Sequence, residues 1–323
     1  MRNEYLPGLA ELEDAAKVVY GFMPPTPQYA WPLLAERLGT EVWMKHENHT
    51  PAGAFKVRGG LVYFEALARS EERPREVVCA TRGNHGQSVA IAARRAGMKA
   101  VIVVPHGNSV EKNAAMRGFG AELLEHGTDF QEAKEFAQGL AAERGAHMVP
   151  SFHPLLVRGV ATYGLELLRS EPDLDVVYVP IGQGSGICGM IAAREALGRK
   201  TEIVGVVSTL APATALSFEQ KRFVEHTVTT QLADGMACRV PDAASLEVMW
   251  KYVARMVCVT DDEVGDAMRA IYECTHNVAE GAGAAAFAAA MQDRDRLRGK
   301  KVGVVLSGGN VDRDVMAGVL NRD

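Results

Sequence analysis

Val176-Val177-Tyr178-Val179-Pro180-Ile181-Gly182-Gln183-Gly184-Ser185-Gly186-Ile187-Cys188-Gly189 decides the fold. Its first four residues are apolar and β-branched or aromatic, as a buried strand requires. Gly182, Gly184 and Gly186 then mark a tight turn, and an amphipathic helical stretch follows over Ser185–Leu197. A strand that runs through a glycine turn straight into a helix is a βα unit. The free backbone N–H groups at the helix start suit an anion such as a phosphate. Outward from this unit the same alternation repeats. Strands are expected at Val42–His46, Val77–Ala80, Ala100–Val104, Glu122–Leu124, Ile203–Val207 and Val302–Leu306. Helices are expected at Asn84–Ala96, Asp129–Arg144, Leu155–Arg169, Glu263–Thr275 and Ala282–Met291. The expected fold class is α/β: two open, twisted, mostly parallel sheets with helices on both faces. The unbroken apolar run Val101-Ile102-Val103-Val104 fits a strand covered on both sides.

The 323 residues are enough for two domains. No Pro/Gly/Ser-rich linker, repeat or low-complexity tract divides them, so any crossings between domains are short. The polar, proline-containing stretch Arg69–Arg75 and the segment Val149–Pro154 are the candidates. They put residues 1–70 and 154–323 in a large domain and residues 71–153 in a small one. Hydrophobic residues at 47% and charged residues at 23% describe an ordinary soluble globular chain. A net charge of −5 gives no basic footprint for nucleic acid or an anionic membrane surface. No apolar run reaches the roughly 18 residues that span a bilayer, and the N-terminus lacks the apolar core of a signal peptide. Cys79, Cys188, Cys238, Cys258 and Cys274 form no Cys-x-x-Cys pair and sit mostly in apolar runs. They read as buried free thiols in a reducing, cytoplasmic compartment.

Three more clusters carry chemistry. Asn48-His49-Thr50-Pro51-Ala52-Gly53-Ala54-Phe55-Lys56-Val57-Arg58-Gly59-Gly60 turns at Thr50–Gly53 and starts a helix near Lys56. Helix dipoles disfavour a cation on the first turn, so Lys56 is poorly placed for stability and well placed as an amine nucleophile. Taken alone it reads better as a surface lysine. Cys79-Ala80-Thr81-Arg82-Gly83-Asn84-His85-Gly86-Gln87-Ser88 follows a strand and opens a helix, which presents backbone N–H groups to an anion such as a carboxylate. A plain cap at Asn84 would leave Thr81, Arg82, His85 and Gln87 in the same turn unexplained. Val304-Val305-Leu306-Ser307-Gly308-Gly309-Asn310 again ends a strand in small polar residues and glycines. Ligands of open α/β sheets bind outside the carboxyl ends of strands, so these clusters can face one cleft. His46-Glu47-x-His49 has metal-ligand residue types, but its spacing does not fit one helical face, and no metal is expected.

In order, Phe-Lys-x-Arg-Gly at 55–59, Gly-Asn-His-Gly-Gln at 83–87, the glycine loop at 182–186 and Ser-Gly-Gly-Asn at 307–310 form a joint pattern. It resembles the pyridoxal 5'-phosphate (PLP) enzymes of the tryptophan-synthase-β type, fold type II, and above all the threonine/serine dehydratase and serine racemase group. The resemblance runs from Thr26 to Val319, and Ala233-Asp234-Gly235 and Ala279-Glu280-Gly281-Ala282-Gly283 also look like segments of this group. It implies PLP in the cleft between the large and the small domain, held by Lys56 as a Schiff base. It implies cofactor contacts from Phe55 beside the ring, Asn84 at the ring hydroxyl, Glu280, and Ser307 at the pyridine nitrogen. The phosphate would lie on the backbone of Gly182, Gln183, Gly184, Ser185 and Gly186. Thr81, Arg82, Gly83, Asn84 and His85, in the small domain, would bind the substrate carboxylate. The implied activity is that of a dehydratase or ammonia-lyase: elimination of water from a small β-hydroxy L-amino acid such as threonine or serine, giving a 2-oxo acid and ammonia, with Lys56 as the base at Cα. A serine facing the ring nitrogen cannot hold a pyridinium as an aspartate does, which favours prompt loss of the β-group. A homodimer is expected.

Three departures from the group bear on specificity. Arg82 stands where serine racemases use a serine as the second acid/base, and arginine stays protonated, so little racemase activity is expected. Arg82 either pairs with a carboxylate or other polar group of the substrate or points to solvent. Relatives often bind a divalent cation through acids where this chain has Ser208 and Ala213, so no such metal is expected. Gln183 and Ser185 interrupt what is usually a glycine run, and Ser185 can add a hydroxyl to the phosphate site. Phenylserine and 3-hydroxyaspartate are alternative substrates for the same chemistry. From another class, an NAD(P)-dependent oxidoreductase would use Gly184-x-Gly186-x-x-Gly189, yet Ser208 stands where an acid is expected at the end of the next strand.

Overall fold

Alternate residues of two neighbouring strands face opposite ways, and both faces are buried. Val77, Cys79, Ala100, Ile102 and Val104 pack against Val89, Ala90 and Ala93 of the helix Asn84–Arg95. Val78, Ala80, Val101 and Val103 pack against Ala133, Ala137 and Ala141, an i, i+4 stripe on the helix Phe130–Arg144. Period-two strands sandwiched between helices are the signature of a doubly covered parallel sheet. The computed structural model describes residues 3–322 and contains two such sheets.

The strands are β1 (Gln28–Ala30), β2 (Val42–His46), β3 (Glu76–Ala80), β4 (Lys99–Val104), β5 (Glu122–Glu125), β6 (His147–Met148), β7 (Val176–Pro180), β8 (Glu202–Ser208), β9 (Arg255–Val259) and β10 (Val302–Leu306). One sheet runs β1-β2-β10-β7-β8-β9 and the other β5-β4-β3-β6. Only the β1–β2 pair is antiparallel among the described ladders. Every strand expected from the sequence is present to within a residue or two. The additional strands β1, β6 and β9 are all edges. β1 and β6 are too short to show a period, and β9 opens on a charged residue, Arg255, and is only partly buried.

The chain carries Lys56 at the first position of the helix Lys56–Ala68. This helix crosses the helix Pro154–Ser170 where Gly59 meets Gly159. A Cβ on Gly159 would lie 2.3 Å from the Arg58 carbonyl oxygen, so only glycine allows the two backbones to touch. Among the described residues no helix is long and apolar enough to cross a membrane. The five cysteines are free thiols, with Cys79, Cys188 and Cys238 buried.

Candidate active site

The carboxyl ends of β3, β7 and β10 open onto one cavity, lined by Phe55, Lys56, the loop Thr81–His85, the loop Gly182–Gly186, Glu280 and Ser307. The four sequence clusters therefore meet in space. Asp234 of the Ala233-Asp234-Gly235 segment also lines the cavity, as do Lys112, Phe130 and Cys238, from positions with no motif to announce them.

The Lys56 amine is the centre of this arrangement. Its Nζ donates a 2.8 Å hydrogen bond to Ser185 Oγ and lies 5.1 Å from the centroid of the Phe55 ring. Burial lowers its pKa to about 8, because the ammonium loses part of its solvation there. Two residues on, Arg58 fixes the helix. It bonds Glu47 at 2.7 and 3.0 Å and Glu166 at 2.6 and 2.9 Å, and Lys45 reaches the same Glu166 at 2.6 Å. Lys45, Glu47 and Arg58 are fully buried, so this is a closed group of two cations and two anions. Burial and opposite charges compete on Glu166. Arg58 and Lys45 win and hold its carboxyl below the usual range.

The glycine loop is shaped by close approach. Gly184 has φ +103, and a Cβ on Gly182 would sit 2.6 Å from the Gly235 carbonyl oxygen. The helix Ser185–Ala196 begins here with no side chain capping its N-terminus, so its first N–H groups remain available to a ligand. Gln183 turns aside, its Nε2 2.9 Å from Cys238 Sγ. The other helix start, at Asn84, has Gly83 at the N-cap position rather than Asn84, and the N-cap residue itself supplies no side-chain cap. Thr81 Oγ1 braces this loop by accepting from Gly83 N at 2.9 Å and from Gly86 N at 3.3 Å. His85 has its pKa lowered to about 3 by burial, with the Lys56 charge adding, and its Nε2 has no partner. The ring is therefore neutral.

Asn84 Nδ2 donates to Glu280 Oε1 at 2.6 Å, and its Oδ1 accepts from Asn310 Nδ2 at 2.8 Å. One Nδ2 hydrogen of Asn84 stays uncommitted. Lys112 Nζ donates to Asp234 at 2.7 Å and lies 3.4 Å from Glu280 Oε2, an ion contact without hydrogen-bond alignment. Burial raises the pKa of Glu280, and the Lys112 charge only partly offsets this. Ser307 Oγ makes one long bond, 3.3 Å to the Ala282 carbonyl. His46 and His49, the metal-like pair, are turned to Trp31 (2.9 Å) and Asn277 (2.7 Å) instead.

Two glycine-led helix starts and a lysine of lowered basicity in one α/β cleft suit an anionic carbonyl cofactor held on an amine. The chain belongs to the pyridoxal-phosphate dependent enzymes, whose family model matches residues 19–308. It is 35% identical to the L-threonine ammonia-lyase of Thermotoga maritima over 97% of this chain and 78% of that protein. It is 30% identical to a catabolic L-threonine dehydratase of Staphylococcus aureus over 100% of this chain and 94% of that protein. Maize serine racemase superposes with a TM-score of 0.90 at 26% identity, covering 97% of each chain. The processed threonine deaminase isoform 2 of Solanum lycopersicum gives 0.89 at 29% identity, covering 96% of this chain and 86% of that one.

The cavity fits PLP on its own chemistry. It offers a buried amine of lowered basicity, an uncapped helix start at Ser185 for a phosphate, a hydroxyl at Ser307 with one weak commitment, and a spare N–H on Asn84. A Cβ on Gly186 would touch the Phe55 ring at 3.4 Å, which leaves a smooth wall beside Lys56.

Proposed function

We propose that the chain is a PLP-dependent ammonia-lyase that removes water from a β-hydroxy L-amino acid of the threonine or serine type, giving a 2-oxo acid and ammonia. The observation that carries this reading is the Lys56 amine: buried, weakly basic, and in one cavity with the helix starts at Asn84 and Ser185. Lys56 holds the cofactor, with the N–H groups of Gly182–Gly186 on the phosphate, Phe55 beside the ring and Ser307 at the ring nitrogen. Asn84, backed by Glu280, meets the ring oxygen. PLP supplies the electron sink that makes the substrate Cα–H acidic. The backbone N–H groups of Thr81–His85 orient the substrate carboxylate. The substrate amine would displace Lys56 Nζ from the cofactor. The freed amine, of lowered basicity and in the same cavity, would take the Cα proton while the β-hydroxyl takes up a proton and leaves as water. Arginine at position 82 offers no second base, so the proton is handled from one side and elimination prevails over racemisation.

The working unit is read as a large part, residues 1–70 and 154–323, and a small part, residues 71–153, that brings the substrate loop to the cofactor. Confinement of β3–β6 to residues 76–148 supports this division. A cytoplasmic homodimer is the expected state. Exposed Tyr29 and Leu33 supply apolar surface for it, and the five free thiols suit a reducing compartment. Light scattering tests the dimer.

The enzymatic reading is tested by loading the purified protein with PLP, reducing with borohydride and mapping peptides. The pyridoxyl label belongs on Lys56, and L-threonine or L-serine should release ammonia. A protein that takes up no PLP, or carries the label on another lysine, refutes the reading.

A further inference from the structure

The cavity continues past the substrate loop. Arg82, Phe130, Gln183 and Ala237 line both it and an adjoining hollow between the helix Phe130–Arg144 and residues 227–242. Arg82 is half-buried, and its Nε is sealed from solvent with no partner. Among the described residues no acid pairs with it, nor with the half-buried Lys134 that lines the same hollow. The acids nearby are already engaged. Asp129 accepts from Glu132 N at 2.9 Å and faces Arg239 at 3.4 Å, while Asp242 accepts from Ser245 N at 3.0 Å. A partly desolvated guanidinium gains nothing for its lost water until an anion arrives, and its planar fork matches a carboxylate. On the lyase reading, the substrate's α-carboxylate already has the loop and helix start at Asn84. Arg82 is therefore left for a second anionic group, beyond Cβ.

We propose that the preferred substrate carries a second carboxylate, as 3-hydroxyaspartate does, bound by Arg82 with Lys134 beside it. This rests on the lyase reading above and narrows its substrate class. The competing occupant is a phenyl group packed on Phe130, as phenylserine would place it.

The test compares kcat/KM for 3-hydroxyaspartate, threonine and phenylserine in the PLP-loaded wild-type protein, Arg82→Gln and Arg82→Lys. The acidic substrate should lead in the wild type. Arg82→Gln should lower the ratio of 3-hydroxyaspartate to threonine by roughly 10- to 100-fold, the worth of a charge-assisted pair, and Arg82→Lys should restore part of it. An equal loss on both substrates, or a preference for phenylserine, overturns the proposal. A second measurement does not depend on turnover: thermal protection of the PLP-loaded protein by succinate against butyrate. Succinate should protect at lower concentration in the wild type and lose that advantage in Arg82→Gln; equal protection by both overturns the proposal. If succinate is preferred while no hydroxy amino acid is turned over, the dicarboxylate site stands and the lyase reading falls.

Discussion

Lys56 Nζ donates to Ser185 Oγ at 2.8 Å, so the amine on the first turn of one helix is held by the hydroxyl on the first turn of another. Both helix starts carry partial positive charge, and neither suits an ammonium. The pair is stable enough to form because burial already weakens the amine's hold on its proton. An anion at the start of the helix Ser185–Ala196 would relieve the same conflict, which ties the amine and the phosphate cradle into one device.

Lys56→Ala separates the chemistry from the fold. The variant should lose borohydride-stable pyridoxyl labelling, and ammonia release should fall by about 10²- to 10⁴-fold or more, the range of a positioned base. The thermal midpoint of the apoprotein should change little, since the lost packing of the lysine stem is offset by removal of a desolvated amine. Turnover at the wild-type rate would refute the role given to Lys56.

The lowered pKa of Lys56 has a stability consequence with a definite sign. Its folded value, about 8, lies below the ordinary 10.5, so between these values the unfolded chain binds more protons than the folded one. Stability contributed at this site therefore rises with pH through that window and is lowest below it. The full gap corresponds to about 3 kcal/mol. Urea unfolding of the apoprotein should show Lys56→Met ahead of the wild type by about that much near pH 7, with the lead shrinking by a similar amount by pH 10.5. A lead that does not change with pH would mean that Lys56 is not desolvated.

The sequence reveals what is local. β7 and β10 are continuous apolar runs, the turns before Lys56 and Ser185 are written in Gly and Pro, and each motif lies within about ten consecutive residues. The contacts that complete the site are not local. Lys112 meets Asp234 across 122 positions, and Lys45 meets Glu166 across 121. No spacing rule connects such residues, and a lone buried lysine in a sequence resembles an exposed one. β9 escapes notice because Arg255, its first residue, leaves only the short apolar run Met256–Val259, and the Arg255 side chain answers Asp293 at 2.7 Å. Arg82 could be recognised as unusual but not oriented, since its direction depends on the helix Phe130–Arg144 packing beside the loop.

The buried charges behind Lys56 should be fragile to single changes. Glu166→Gln leaves Arg58 and Lys45 with one full negative charge, at Glu47, between them. Removing one partner of a buried ionic group typically costs about 3–5 kcal/mol. Because Arg58 is two residues from Lys56 on the same helix, kcat should fall along with stability. Chemical denaturation checks the first and steady-state kinetics the second. A variant as stable as the wild type would show that water, rather than Glu166, solvates these cations.

The substrate loop and the Lys112 ion pair should be coupled through contact. The stem of Lys112 occupies the place of a side chain at Gly83: a Cβ there would lie 2.5 Å from Lys112 Cδ. Alanine at position 83 therefore meets that stem directly and displaces it. Displacement pulls Nζ off Asp234 and Glu280, which releases the loop carrying Asn84 from the residues behind it. Gly83→Ala should raise KM for the substrate about 10-fold and cost about 1–2 kcal/mol of stability. Lys112→Ala should do similar damage by itself. Together the two changes should cost far less than their sum, because the alanine at position 83 then fills space that the lysine has vacated. A double-mutant cycle in urea, repeated on KM, measures this. Strictly additive effects would show that the loop and the ion pair are independent, and Lys112 would then be a plain structural bridge.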